Sequence, residues 1–409
     1  MTDRLPAADW LAAPETDAVM AALDAACPGG ARFVGGCVRN TLMGRPVDDV
    51  DIATQLHPED VISAMVSAGI KALPTGLAHG TVTAIVNHVP FEITTLRRDV
   101  ETDGRRAVVA FTEDWTEDAL RRDFRLNAIY ADRSGVLFDP TGGGLSDAVA
   151  GHVVFIGDAD MRLREDYLRI LRFFRFNAWY GAGIDAAGLM ACERQKRGLA
   201  KIAAERIWKE INKLLAAPEP GPAVEAMAKS GVLGEILPEA DMPESVGRIA
   251  NLERAHGLTP DPLRRLMGLV DLHAGTARRL ADRLRLSNVD AARLLAAESA
   301  DMAGYPVDRE QDIRAAFYRF GAAAVIDRAV CTAGRTGHAG GLDALVRAAD
   351  TWKPLKFPVT GADFVDAGLP PGPAIGEHLR ALEDWWVAGD FKAKRPQLIA
   401  ELKRRLAQN

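Results

Sequence analysis

The chain has 409 residues, of which 48% are hydrophobic and 26% charged, with a formal net charge of −6. This is a globular composition with room for two to four domains, and its acidic balance excludes a strong overall field that would draw the whole surface to RNA. No apolar run reaches the length of a membrane span, and the N-terminus, with Asp3, Asp9, Glu15, Asp17 and Asp24 among alanines, lacks the basic-then-apolar order of a signal peptide.

In chain order, Ala31-Arg32-Phe33-Val34 reads as a short strand entering Gly35-Gly36, and Thr41-Leu42-Met43-Gly44 as a helix ending at a glycine cap. Paired glycines let backbone N–H groups approach a phosphate closely, and Arg39 supplies a planar donor fork suited to triphosphate oxygens. Val50-Asp51-Ile52-Ala53 reads as the next strand. Side chains alternate along a strand, so Asp49 and Asp51 project from one face about 7 Å apart. Two like charges that close need a cation, and hard carboxylate oxygens on an open face suit Mg²⁺, which completes its shell with water and substrate phosphates. The pattern points to phosphoryl transfer. A third carboxylate is then expected on a neighbouring strand. Thr81–Val86, the turn Asn87-His88-Val89-Pro90 and Phe91–Leu96 read as a β-hairpin with Glu92 in its returning strand.

Strand and helix signals alternate up to Pro140-Thr141-Gly142-Gly143-Gly144, after which helical periodicity takes over, so an α/β head should precede helical domains. Asp166, Arg169, Arg172 and Arg175 recur every three residues and form a slowly winding stripe on one predicted helix, beside Leu168, Leu171 and Phe174. A carboxylate only accepts hydrogen bonds and suits the exocyclic amino group that cytosine and adenine share. Arg169 only donates, which suits their ring nitrogens, whereas uracil and guanine present a carbonyl oxygen instead. An amphipathic helix with solvated charges carries the same pattern. From Met161 to Lys213, eight Arg and four Lys face six Asp or Glu, a local +6 that makes a phosphate-facing stripe. Lys392, Lys394, Arg395, Lys403, Arg404 and Arg405 form a second basic cluster, equally consistent with a solvated helix face.

Ala217–Pro222, Ala333–Gly341 and Lys353–Pro358 read as breaker-rich connections, Val359–Asp363 as a turn and capped helix start, and Trp385 and Trp386 as core. Cys27, Cys37, Cys192 and Cys331 have no zinc-site spacing and read as free thiols of a reducing compartment, which points to the cytoplasm.

These motifs, in this order, resemble the class II tRNA nucleotidyltransferases and their poly(A) polymerase relatives, members of the polymerase-β-like nucleotidyltransferase superfamily. Gly35–Thr54 is similar to the family's first signature, and Thr75–Thr81 with Glu92–Arg97 to its second and third strands. Arg121–Ala128 resembles the ribose-side motif, Glu165–Arg172 the base-reading helix and Glu205–Glu210 the helix after it. Asn40 stands where the family usually has Asp, and Arg125 where it usually has Thr.

The resemblance implies an α+β protein. A nucleotidyltransferase head (mixed sheet with helices) would span 1–157, followed by an all-α neck with the base-reading helix (158–240), a body (241–352) and a tRNA-binding tail (353–409). It implies Mg²⁺-dependent transfer of CMP and AMP from CTP and ATP to the 3′ end of tRNA, with release of pyrophosphate. Asp49, Asp51 and Glu92 would be catalytic, with Asp49 and Asp51 the metal ligands. Gly35, Gly36, Arg39, Arg122, Asp123, Asn127, Asp166, Arg169, Arg172 and Arg175 would bind nucleotide. No His is followed by Asp, so the metal phosphohydrolase domain that some members append is not expected. Enzymes that add only CC or only A, and poly(A) polymerases, share the motifs. The charged loop Asp99–Arg106 resembles a flexible element that CC-adding relatives lack, and it favours the full CCA reaction. A catalytically silent RNA-binding protein on the same scaffold would have no use for three uncompensated carboxylates.

Overall fold

A computed structural model describes residues 3–102, 107–302 and 309–407, so part of the charged loop, residues 103–106, lies outside the described residues. The chain forms two compact units, Met1–Pro238 and Glu239–Asn409.

The first unit is built on a seven-stranded mixed sheet. Its strands are β1 (Ala31–Val34), β2 (Val50–Thr54), β3 (Lys71–Gly76), β4 (Thr81–Val86), β5 (Val89–Thr95), β8 (Tyr130–Ala131) and β9 (Leu137–Phe138), and a separate ribbon pairs β6 (Arg97–Thr102) with β7 (Ala107–Phe111). The spatial order is β3-β4-β5-β2-β1-β8-β9. Among the described residues only β2 and β5 pair in parallel, with Asp51 opposite Glu92. Alternation sets the faces: Phe91 and Ile93 are buried while Glu92 between them is exposed. Helices Pro14–Ala26 and Pro58–Ser67 pack on each other and on β4, burying Met20, Leu23, Val61 and Met65.

The hairpin is present, but its turn is tighter than the sequence reading. Val89 and Pro90 belong to β5, and only Asn87 and His88 turn, both with positive φ (48° and 68°), as a two-residue hairpin loop requires. The helix after β1 is longer than expected, running from Gly36 to Leu42 with Met43 as its cap and Gly44 beyond it at φ 63°.

The predicted base-reading helix is two helices, Ala159–Glu165 and Leu168–Tyr180, with Asp166 extended between them (φ −151°, ψ 106°). The Asp166 carboxylate accepts from the Leu168 N–H at 3.0 Å, a side-chain bond that competes with continuing the first helix. Phe124, Phe155, Phe173 and Phe176 interlock with ring centroids 4.9–6.3 Å apart, joining the segment after Arg122-Asp123 to helix Leu168–Tyr180.

The second unit is helical. Its interior holds a charge cluster in which Glu253 accepts from Arg264 (2.9 Å) and Arg265 (2.8 Å), and Asp327 from Arg264 (2.9 Å) and Arg293 (2.7 Å). Helix Ala322–Thr336 runs through the glycine-containing stretch read as a loop, which begins only at Gly337. The reason is packing. A Cβ on Gly334 would stand 2.4 Å from Ile249 Cγ1, and one on Gly268 would stand 2.1 Å from Ile249 Cδ1, so both glycines make room for that side chain. At the C-terminal end, Thr360 and Asp363 form a capping box. Trp386 is buried in a cluster with Phe364, Leu382, Leu398 and Leu402, whereas Trp385, expected in the core, is 40% exposed.

Candidate active site

Asp51 sits at the start of β2 with Glu92 beside it on β5, and Asp49 is exposed just before the strand. Burial pushes the Asp51 carboxyl up to about 6; Glu92 and Asp49 push the same way, against Arg122 and Arg39. Carboxylates therefore exceed cations around this point. Gly35 (φ 73°, ψ −122°) makes the turn before helix Gly36–Leu42, and a Cβ there would lie 3.8 Å from Asp51 Oδ2 and 3.9 Å from Arg122 Nη1. Glycine thus frees the backbone and leaves open the gap that the carboxylate and the guanidinium flank.

The donor set suits a hard divalent ion, since Mg²⁺ takes one or two protein carboxylates and draws the rest of its shell from water and substrate. Among the described residues, however, no three His, Cys, Asp or Glu side chains come together closely enough to hold a metal ion. The Glu92 carboxylate neighbours Asp51 across the strands and acts on it through charge.

Arg39 departs most from expectation. Instead of presenting its fork to phosphates it is buried, with Nη1 donating to Asn127 Oδ1 (2.5 Å), Nη2 to Asn40 Oδ1 and the Tyr180 hydroxyl (both 2.8 Å), and its guanidinium stacked 4.0 Å from the Tyr180 ring. It ties the first motif to the ribose-side motif and to helix Leu168–Tyr180. The network continues through Asn127 Nδ2, which donates to Asp123 Oδ1 (3.0 Å), and Arg172 Nε, which donates to Asp123 Oδ2 (2.7 Å). Burial would raise the Asp123 carboxyl, but Arg172, Asn127 and the Phe124 N–H together hold it below the usual carboxylate range.

Each remaining member of the predicted stripe has a protein partner. Asp166 accepts from Arg206 Nη2 at 3.0 Å, Arg169 donates to Glu165 (2.5 Å) and to the Arg121 carbonyl (3.1 Å), and Arg175 pairs with Glu210 at 3.2 Å. The stretch Arg121-Arg122-Asp123 is gripped residue by residue: Arg169 holds the carbonyl of the first, Asp118 the side chain of the second and Arg172 that of the third.

Sequence reading missed Asp118, Tyr130 and Tyr180. Asp118 is 1% exposed and accepts from Arg122 Nη2 (3.0 Å), Arg121 Nε (2.8 Å) and the Tyr130 hydroxyl (2.7 Å). Burial alone would raise its carboxyl, yet Arg122, Arg121 and Tyr130 hold it well below the usual range. Its place four residues before Arg122 is a readable helix pairing. Arg125, the departure from the family pattern, is answered by Asp147 through Nε (2.6 Å) and Nη2 (2.9 Å). Asn40, the other departure, accepts from Arg39 and donates to the Pro46 carbonyl at 2.7 Å. Cys37 is buried against the Val34 carbonyl, which burial reflects by pushing its thiol up to about 12.

Paired carboxylates on neighbouring strands of a mixed sheet, faced by a held arginine and followed by a basic helix, define a nucleotidyltransferase. A family model described as "Poly A polymerase head domain" matches residues 31–153, and one described as "Probable RNA and SrmB- binding site of polymerase A" matches residues 183–242. CCA tRNA nucleotidyltransferase 1, mitochondrial, of Danio rerio is 33% identical over 394 residues, covering 91% of this chain and 87% of that protein. The CCA-adding enzyme of Geobacillus kaustophilus (strain HTA426) is 31% identical over 382 residues, covering 92% and 93%. The crystal structure of the Bacillus stearothermophilus CCA-adding enzyme in complex with CTP matches with a TM-score of 0.78 at 28% identity, over 97% of this chain and 98% of that one. The chain belongs to the CCA tRNA nucleotidyltransferase family. Among the described residues no helix is long and apolar enough to cross a membrane.

Proposed function

We propose that the protein completes the 3′ end of tRNA, transferring CMP and then AMP from CTP and ATP and releasing pyrophosphate. The observation that carries this is Asp51 set opposite Glu92 on paired strands, with Asp49 two residues before it and Arg122 across the Gly35 gap. Asp49 and Asp51 would hold Mg²⁺, which when bound supplies Lewis-acid stabilisation of the phosphate oxygens and of the attacking 3′ hydroxyl. Glu92 adds negative charge beside that pair.

The chain's own residues place the substrate. Arg122 offers its Nη1 edge to the triphosphate, and the Arg172–Asp123–Asn127–Arg39 network fixes the groups that would face the ribose. Base choice falls to Asp166 and Arg169: the carboxylate accepts from the amino group of cytosine or adenine and the guanidinium donates to a ring nitrogen. Their present partners, Arg206 and Glu165, hold both groups until a base replaces those contacts. The fourfold division at 157/158, 240/241 and 352/353, the tRNA-binding tail and a cytoplasmic setting for the four free thiols belong to the same proposal.

Incubation with Mg²⁺, labelled CTP or ATP, and tRNA lacking its 3′ end tests it. Two CMP and one AMP, then arrest, is the expected product; unlimited AMP addition would select a poly(A) polymerase, and no incorporation a binding protein. Asp166→Ala should admit UTP or GTP more than it slows CMP transfer, and unchanged fidelity would overturn the assigned readout.

A further inference from the structure

Arg122 is a guanidinium with two usable edges. The Nε/Nη2 edge is taken by Asp118 Oδ2, at 3.3 and 3.0 Å, and Asp118 is made rigid by its other bonds: Arg121 Nε (2.8 Å) and the Arg97 N–H (3.3 Å) on Oδ1, and the Tyr130 hydroxyl (2.7 Å) on Oδ2. The Nη1 end points the other way. It lies 3.9 Å from the place a Gly35 Cβ would occupy, with Asp51 Oδ2 3.8 Å from the same place. An arginine so close to a carboxylate can close on it as a bidentate pair, which would occupy both the oxygens and the donors that the site needs. Asp118 competes for Arg122 from the opposite edge.

We infer that Asp118, with Tyr130, is a positioning residue that holds Arg122 back from Asp51 and keeps its Nη1 edge available to the phosphates of the incoming nucleotide. This rests on the proposed nucleotidyl transfer, but it is read in nucleotide binding, separately from turnover.

Asp118→Asn keeps the shape of the side chain and removes the charge. It should raise the calorimetric Kd for CTP about tenfold, the scale of one charge-assisted hydrogen bond, while the Kd for tRNA stays within about twofold. Tyr130→Phe, which removes one hydroxyl and no charge, should shift the CTP Kd the same way by about threefold. Each change is repeated in an Arg122→Lys background. If Asp118 acts through Arg122, both lose most of their effect on CTP there. If the effects persist undiminished, or if tRNA and CTP binding weaken together, Asp118 is only a structural ion-pair partner and the inference falls. Should Asp118→Asn not fold, the Tyr130→Phe pair decides by the same criterion. Absence of any nucleotide incorporation by the parent protein would sink the proposed function while leaving this binding cycle readable.

Discussion

The surroundings of Asp51 in the first unit and the interior of the second use the same residue types to different effect. Around Glu253, buried carboxylates are matched by guanidiniums: Arg264 and Arg265 serve Glu253, and Arg264 and Arg293 serve Asp327. Around Asp51, three carboxylates meet fewer cations, and one of those, Arg122, is tethered elsewhere. Matched charge closes on itself and shapes a core. Charge left in excess stays available for a ligand of opposite sign, at a cost in folding stability.

The largest effect expected from this contrast is chemical. Asp49→Asn or Asp51→Asn should lower CMP incorporation by at least about a thousandfold, with tRNA affinity within about threefold; initial rates and filter binding read the two quantities. A variant that keeps a tenth of parental turnover would move the essential charge elsewhere. In the second unit the loss should be structural: Glu253→Gln removes the buried charge that Arg264 and Arg265 share and should cost about 3 kcal/mol in denaturant unfolding, with kcat/KM per folded molecule preserved. Between these poles lies Asp123, which is matched like the core yet linked through Asn127 to Arg39 of the first motif. Asp123→Asn should raise KM for both CTP and ATP about tenfold by releasing Arg172, a change that steady-state kinetics would separate from kcat.

The smallest effect has the opposite sign. The folded chain binds the Asp51 proton more tightly than the unfolded chain, so stability is lost as pH rises from the ordinary 3.8 through about 6. In chelator at pH 8, Asp51→Asn should therefore be more stable than the parent, and the gain should vanish near pH 4. Equal melting temperatures at both pH values would show that this carboxylate carries no excess charge.

Much of the head was legible because strands announce themselves. Alternation around Glu92 and Asp51 located β5 and β2, and the small polar pair Asn87-His88 marked the hairpin, one residue pair tighter than read. The break at Asp166 was hidden because Glu-Asp-Tyr-Leu contains no glycine or proline and fits a helical period, while the stop comes from a side-chain bond to Leu168. Arg39 was misread for a different reason. Its fate is decided by Tyr180, 141 residues away, and by Asn127, 88 away, and no local pattern encodes that meeting. Gly334 carried a loop signal that tertiary packing overrode.

The seat of Ile249 between Gly268 and Gly334 has a further consequence for how the second unit assembles. Each notch admits a hydrogen atom and nothing larger, and the flanking positions are Met267, Leu269, Ala333 and Arg335. A slip of either helix by one residue would drive a methyl group or something bulkier into the isoleucine. The three helices, Ser245–Ala255, Pro262–Gly268 and Ala322–Thr336, therefore share a single axial alignment, keyed by what two side chains lack.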